Sequence, residues 1–441
     1  MVSGAAIACL ISFIAVQNNA IGLGIVAASL AYAFPTPVFK LSMLWVLLCR
    51  PGLEVFQASI GPVNVTEVDL LPIVATFAAL RVRTSESEQP TLSLASWTLI
   101  LAWPAWFLIR FALPQADGAV LFGSVGVDFR SISMYLALIP LAIYIHRKGW
   151  LAGLKLLALG AYSACTIAIA AWALLATGLV APGRATFVYF LALNDVRPGG
   201  ELMIAVIAVL LLLGQAPLAL GSRALSIFLI FTELLVSQTL SIVVAIAAGF
   251  MVTSLLRWRT LALGSKALSI TAVLIFVVVA VGGVAEGSRF NLASRIGGDS
   301  AQYRVGELKV VVDALDESVL QSAIGAGAGS LIAVENLYTH QIEIKRDTHN
   351  VYASVALKTG IVGVVLFLLP AMVLVRRMVR TKSELGRALV GSLTTVLVLS
   401  ATVPFIWTPN GFAGLALLYL VAFSWTPRFS THTSQGREIR H

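Results

Sequence analysis

Long runs of uncharged, apolar residues recur along almost the whole chain, and they decide what it can become. They fall near 3–17, 20–35, 37–55, 67–80, 92–113, 132–146, 150–181, 201–220, 224–237, 239–256, 265–284, 351–375, 386–403 and 409–425. An α-helix crosses the roughly 30 Å hydrocarbon core of a bilayer in about 20 such residues. The chain is 59% hydrophobic and only 12% charged, about half the charge of a soluble domain. The runs are continuous and do not alternate, which argues against a β-barrel. The predicted fold class is an all-α polytopic membrane protein with about 12–14 transmembrane helices and one large loop outside the membrane.

Charge then sets the topology. Arg81/Arg83, Arg147/Lys148, Arg257/Arg259/Lys266 and Arg376/Arg377/Arg380/Lys382/Arg387 mark alternate connections, and Arg428, Arg437 and Arg440 follow in the tail. Basic residues beside membrane helices gather on the cytoplasmic side, so these connections and both termini are placed inside. The expected organisation is membrane helices over 1–284 with a smaller outer loop at 182–200, a large extracytoplasmic loop at 285–350, membrane helices over 351–425, and a cytoplasmic tail at 426–441. The first apolar run lacks a basic leader and reads as a retained helix. The net charge of +9 follows from membrane sorting, and no basic run with interleaved aromatics suggests nucleic acid. Cys9, Cys49 and Cys165 lie in apolar runs, with no metal-ligand spacing and no disulfide framework.

The loop at 285–350 is the one long polar interval, and its arginines run against the sorting bias. Val305, Leu308, Val311, Val312, Leu315 and Val319 recur at helical spacing, predicting a helix over 302–320 with Arg304 in its first turn. A flexible turn follows at Ile324-Gly325-Ala326-Gly327-Ala328-Gly329, then a second short helix over 331–338. Asp347 or Thr348 is expected to cap the helix that begins near His349. Upstream, the run 224–258 is too long for one crossing, and Ser237-Gln238-Thr239 reads either as a tight outer turn or as a buried polar kink. Of the charges set within apolar runs, Glu67 and Asp69 stand near a helix start, Arg110 near an end and Glu233 inside a helix.

The loop ends in His349-Asn350, nine residues, then Gly360-Ile361-Val362-Gly363-Val364. This pattern resembles the signature of the O-antigen ligase family, which groups lipopolysaccharide O-antigen ligases with related O-antigen and exopolysaccharide polymerases. Tyr303-Arg304 and Ile324-Gly325-Ala326-Gly327 resemble the same region of that family, over about 183–420. Two positions depart from it. Ser237-Gln238-Thr239 stands where the family often has Ser-Arg-Gly, and Val305-Gly306-Glu307-Leu308 lacks a common aromatic.

The resemblance implies a glycosyltransferase bundle of the GT-C kind in the bacterial cytoplasmic (inner) membrane, with its catalytic loop facing the periplasm. It implies metal-independent, inverting transfer from an undecaprenyl-diphosphate-linked glycan to a glycolipid or glycan acceptor, with no cofactor. No Asp-x-Asp motif stands out in the outer loops. Arginine stays charged and grips phosphate oxygens in pairs. Arg304 and Arg197, then Arg295 and Arg289, are therefore candidate diphosphate ligands, with membrane headgroup anchoring as the other reading of the last two. Histidine as a residue type is suited to accepting a hydroxyl proton, and His349 is the candidate general base, against a purely structural role at a helix start. Asn350 and Tyr303 support it, and Gly360 and Gly363 allow close helix packing. His340 reads as structural. Two other function classes remain open on the residues: a flippase for a lipid-linked sugar, and a silent relative acting as a scaffold.

Overall fold

The computed structural model describes residues 29–49, 57–60, 63–84, 92–112, 121–122, 134–185, 188–190, 196–219, 221–237, 239–257, 299–336, 341–381 and 383–425. The described chain is dominated by helices: α1 (Pro35–Leu48), α2 (Glu67–Arg81), α3 (Leu94–Ala112), α4 (Leu138–Lys148), α5 (Trp150–Ala176), α6 (Glu201–Leu212), α7 (Arg223–Ser237) and α8 (Leu240–Arg257). After them come α9 (Asp299–Asp316), α10 (Val319–Ile324), α11 (Val351–Thr381), α12 (Glu384–Ser400) and α13 (Pro409–Ser424). Among the described residues α3, α5, α8 and α11 are long and apolar enough to cross a membrane, and α1, α6 and α13 are shorter apolar helices. The chain is a mostly helical polytopic membrane protein, as its apolar runs predict. The apolar segments at 3–17 and 265–284 lie outside the described residues.

Helices α6 and α13 form the centre. Every residue from Leu202 to Leu211 is buried, as is nearly all of α13, the pattern of a helix that is apolar all round. Where α8 crosses α12, a Cβ on Gly249 would overlap the Gly391 carbonyl, and one on Gly391 would overlap Thr253. Small residues let the two backbones meet without side chains between them, a common membrane packing device. Helix α7 ends at Ser237 and α8 begins at Leu240, and the turn or kink expected between them falls on Gln238. Gln238 lies outside the described residues. Asp69 is accounted for locally, because its carboxylate accepts the Thr66 backbone N–H (2.8 Å) and hydroxyl (3.0 Å) in a capping box at the start of α2.

Among the described residues the strands form three small sheets. One is the hairpin β1 (Gln57–Ile60) and β2 (Val63–Thr66). The second contains β3 (Leu121–Phe122), β7 (Ser330–Asn336) and β8 (Gln341–Lys345), with β7 in the middle. The third joins β4 (Gly183–Ala185), β5 (Val188–Phe190) and β6 (Val196–Pro198) as antiparallel neighbours.

The strand β7 corrects the helix expected over 331–338. Ile332 and Val334 are buried while Ala333 and Glu335 are exposed, the two-residue period of a half-buried strand. The first expected helix is present but starts earlier, at Asp299, and breaks before Val319. Its Val311 and Ala314 pack with Ile332 and Val334 of β7 and with Ala353 and Leu357 of α11. This small satellite core fixes α9 across the start of α11.

Candidate functional site

The site grows from the contact between α9 and the first residues of α11. Asn350 occupies the position before α11, and its side-chain oxygen accepts the Ala353 N–H at 3.1 Å. Asn350 is therefore the N-cap, in place of the expected Asp347 or Thr348. Thr348 instead bonds the Asn350 carbonyl (2.6 Å) and Asp347 pairs with Arg346 (2.7 Å). These bonds pin the residue between them, His349.

Glu307 reaches His349 from α9. Its carboxylate lies 3.0 and 3.1 Å from His349 Nδ1 and accepts the His349 backbone N–H at 2.9 Å. The Glu307 side chain is 1% exposed, whereas that of His349 is 41% exposed. A carboxylate held against Nδ1 favours the tautomer with its proton there, leaving the Nε2 lone pair on the open side. The His349 ring is thus oriented on one nitrogen and presented on the other.

A second layer holds Glu307. Lys345 on β8 places its ammonium 3.4 Å from Glu307 and 3.5 Å from Glu343. The same ammonium stands 4.3 Å from the centre of the Tyr303 ring. Tyr303 donates its hydroxyl to Glu343 at 2.9 Å and meets the His349 ring edge-on at 6.2 Å. Burial acts to raise the Glu307 carboxyl, but bonds from the His349 ring and backbone and the charge of Lys345 outweigh it and hold the carboxyl below its ordinary range. Burial likewise opposes the Lys345 charge, and Tyr303 and Glu307 overcome it, keeping the ammonium above its ordinary range.

A depressed carboxyl contributes stability that is present above its unfolded pKa, about 4.3, and lost as pH falls through the lower folded value. The α9–α11 contact should therefore loosen on the acid side of about pH 4. Limited proteolysis of the 299–350 stretch against pH measures this. Glu307→Gln should flatten the dependence, and an unchanged profile in that variant would remove Glu307 as its source.

Arg304 stands one turn before Glu307 on the same face of α9 and is partly exposed. It makes no ion pair among the described residues. The structure thus brings together Tyr303, Arg304, His349 and Asn350 from the sequence-derived set. Arg197 lies elsewhere, on β6 opposite Tyr189 of β5, in the sheet packed on α5 and α7. Arg289, Arg295 and His340 lie outside the described residues. Sequence reasoning missed Glu307, although a polar residue one turn after Arg304 in a helix directed at His349 was the available signal.

Gly360 lets the end of α10 pack closely on α11, whereas Gly363 makes room within its own helix. Gly360 has φ 66° and ψ −169° and breaks α11. A Cβ there would overlap the Ala323 carbonyl, and one on Gly325 would sit 2.5 Å from the Gly360 and Thr359 nitrogens. The partner is therefore the turn 323–325, which α10 delivers against the break. Gly363 leaves room for the Thr359 side chain of its own helix. The carbonyls near the break find other donors: Ala326 N–H bonds the Leu357 oxygen at 2.7 Å, and Trp106 Nε1 bonds the Thr359 oxygen at 3.0 Å.

Fold and site together define a class: a polytopic helical membrane protein carrying a carboxylate-oriented histidine with an arginine one helical turn away. Residues 224–368 match the model of the O-antigen ligase family. The match spans α7 to the upper part of α11 and includes Arg304, Glu307, His349, Gly360 and Gly363. No curated protein matches the chain.

Proposed function

We propose that the chain transfers a glycan from a polyprenyl-diphosphate donor, of the undecaprenyl type, to an acceptor hydroxyl at the periplasmic face of a bacterial inner membrane. The observation that carries this reading is the Glu307–His349 pair, with Nε2 open and Arg304 one turn away, inside the stretch that matches the family. The acceptor hydroxyl gives its proton to His349 Nε2 as its oxygen bonds to C1 of the donor sugar. The bond from C1 to the diphosphate oxygen breaks, and that oxygen leaves with the electron pair. Attack opposite the leaving group inverts the anomeric carbon.

Charge grows on the leaving diphosphate, where a guanidinium gains most by binding. Arg304 takes this role, with Arg197 of the third sheet and Arg289 and Arg295 of the same loop as further phosphate ligands. Arginine charge then serves in place of a divalent metal. The reaction as proposed is that of an O-antigen ligase with lipid A-core as acceptor. Polymerase action, with a second lipid-linked glycan as acceptor, uses the same site chemistry.

The test is transfer by the purified protein from a polyprenyl-diphosphate-linked glycan, offered each acceptor in turn, with and without EDTA. Arg304→Ala should lower transfer by about 10²–10³-fold in EDTA and in its absence alike. The acceptor used decides between ligase and polymerase. Transfer by Arg304→Ala at the wild-type rate would overturn the role of Arg304, and transfer lost in EDTA would overturn the metal-free mechanism.

A further inference from the structure

Arg110 is the largest fully buried side chain in the described protein, at 1% exposure. It lies at the end of α3 that meets the break in α11. One nitrogen, Nη2, donates to the Gly325 carbonyl at 3.1 Å. The other two, Nε and Nη1, are buried with no hydrogen-bond partner, and no carboxylate among the described residues pairs with the group. A buried guanidinium in this condition is costly, and charges set within apolar helices are retained for function by default.

The surroundings suit an anion. Gly325, which Arg110 grips, lies against the Gly360 nitrogen. Below Gly360 the helix restarts and runs for 21 residues to Thr381. The Leu357 and Thr359 oxygens, which in an unbroken helix would accept from Ile361 and Gly363, are taken by Ala326 and Trp106. The restarted half-helix therefore begins with N–H groups short of acceptors and with the positive end of its dipole. Broken membrane helices use such ends to hold anionic groups. Lys358, also fully buried, lies in the same turn of α11 but is held apart, its ammonium donating to the Ser330 carbonyl at 3.3 Å with Asp347 at 4.0 Å.

We propose that Arg110 and the opened turn at Gly360 form a second anion site, which takes a phosphate group of a membrane lipid. It is distinct from the His349 site. Gly360 follows His349 by eleven residues, about 16 Å along a helix, more than one diphosphate bridges. The proposal does not depend on the transferase reading.

The experiment compares wild type with Arg110→Gln, which keeps an N–H for the Gly325 carbonyl and removes the charge. Thermal unfolding is followed in a neutral detergent alone, then with a polyprenyl diphosphate, with phosphatidylglycerol, or with inorganic pyrophosphate. Binding of each is also titrated. The expected result is stabilisation of wild type by at least one of the three, with affinity at least about tenfold weaker in Arg110→Gln. Without any added anion the variant should unfold at the same temperature as wild type or higher, because an unsatisfied buried charge has gone. The arm that responds names the source: donor lipid, bulk phospholipid or free phosphate. A response that Arg110→Gln retains in full, or no response of wild type in any arm, would overturn the site. The glycan-transfer assay is separate, so Arg110-dependent binding without transfer would keep this site while removing the transferase reading.

Discussion

Replacing His349 by alanine lowers glycan transfer by about 10²–10⁴-fold while leaving donor binding nearly unchanged. The size follows from the role. The His349 ring is bonded to a buried carboxylate through Nδ1 and is open at Nε2, so its only free function is to take a proton from what binds above it. Arg304 and the membrane helices are untouched by the change, and the donor keeps its phosphate ligands. Glu307→Gln is the companion variant. An amide offers one acceptor oxygen and one donor nitrogen where the carboxylate offers two acceptors. With its oxygen on the backbone N–H it sets its N–H₂ against Nδ1 in place of the second carboxylate oxygen, and that N–H₂ favours the opposite tautomer. We expect a loss of about tenfold or more that falls on kcat and spares KM. Single-turnover and steady-state transfer measured on both variants separate the outcomes. A Glu307→Gln loss that falls on KM alone would mean that Glu307 only shapes the loop.

Gly360→Ala destabilises the fold by about 3 kcal/mol or more. Two costs combine at this position. Alanine resists φ 66° with ψ −169°, a combination almost reserved for glycine, by about 1–3 kcal/mol, and its methyl group would overlap the Ala323 carbonyl. That carbonyl is backbone, so relief requires moving the whole turn 323–325, and with it the bond from Arg110 to Gly325. Gly306→Ala is the contrast. It sits in α9 with its nearest neighbour, Val334, 3.8 Å from an added Cβ, and alanine favours helix by about 1 kcal/mol. That variant should match or exceed wild-type stability. Thermal unfolding of the two proteins in one detergent tests the pair, and equal midpoints would remove the steric argument.

Some of this protein is legible without coordinates because the information is local. A membrane helix is specified by an unbroken apolar run, so α3, α5, α8 and α11 follow from residues that are neighbours in sequence. The glycine turn at 325–329 and the start of α11 after His349 are likewise set by short-range chemistry. The spacing from His349 to Gly360 and Gly363 already singled out the site.

What the sequence alone left open, tertiary contact decided. The strand β7 looked helical because Leu331 to Tyr338 is short and apolar. Which period it follows depends on the face that α9 covers. Glu307 and His349 are 42 residues apart, and nothing local pairs one carboxylate of the loop with that histidine. Arg110 and Gly325 are 215 residues apart, and only the seating of the 323–325 turn in the break at Gly360 brings them together. Local periodicity thus settled the membrane class and the position of the histidine, while the partners that orient or surround each charge came from long-range packing, because hydrogen bonds between distant segments leave no spacing to read.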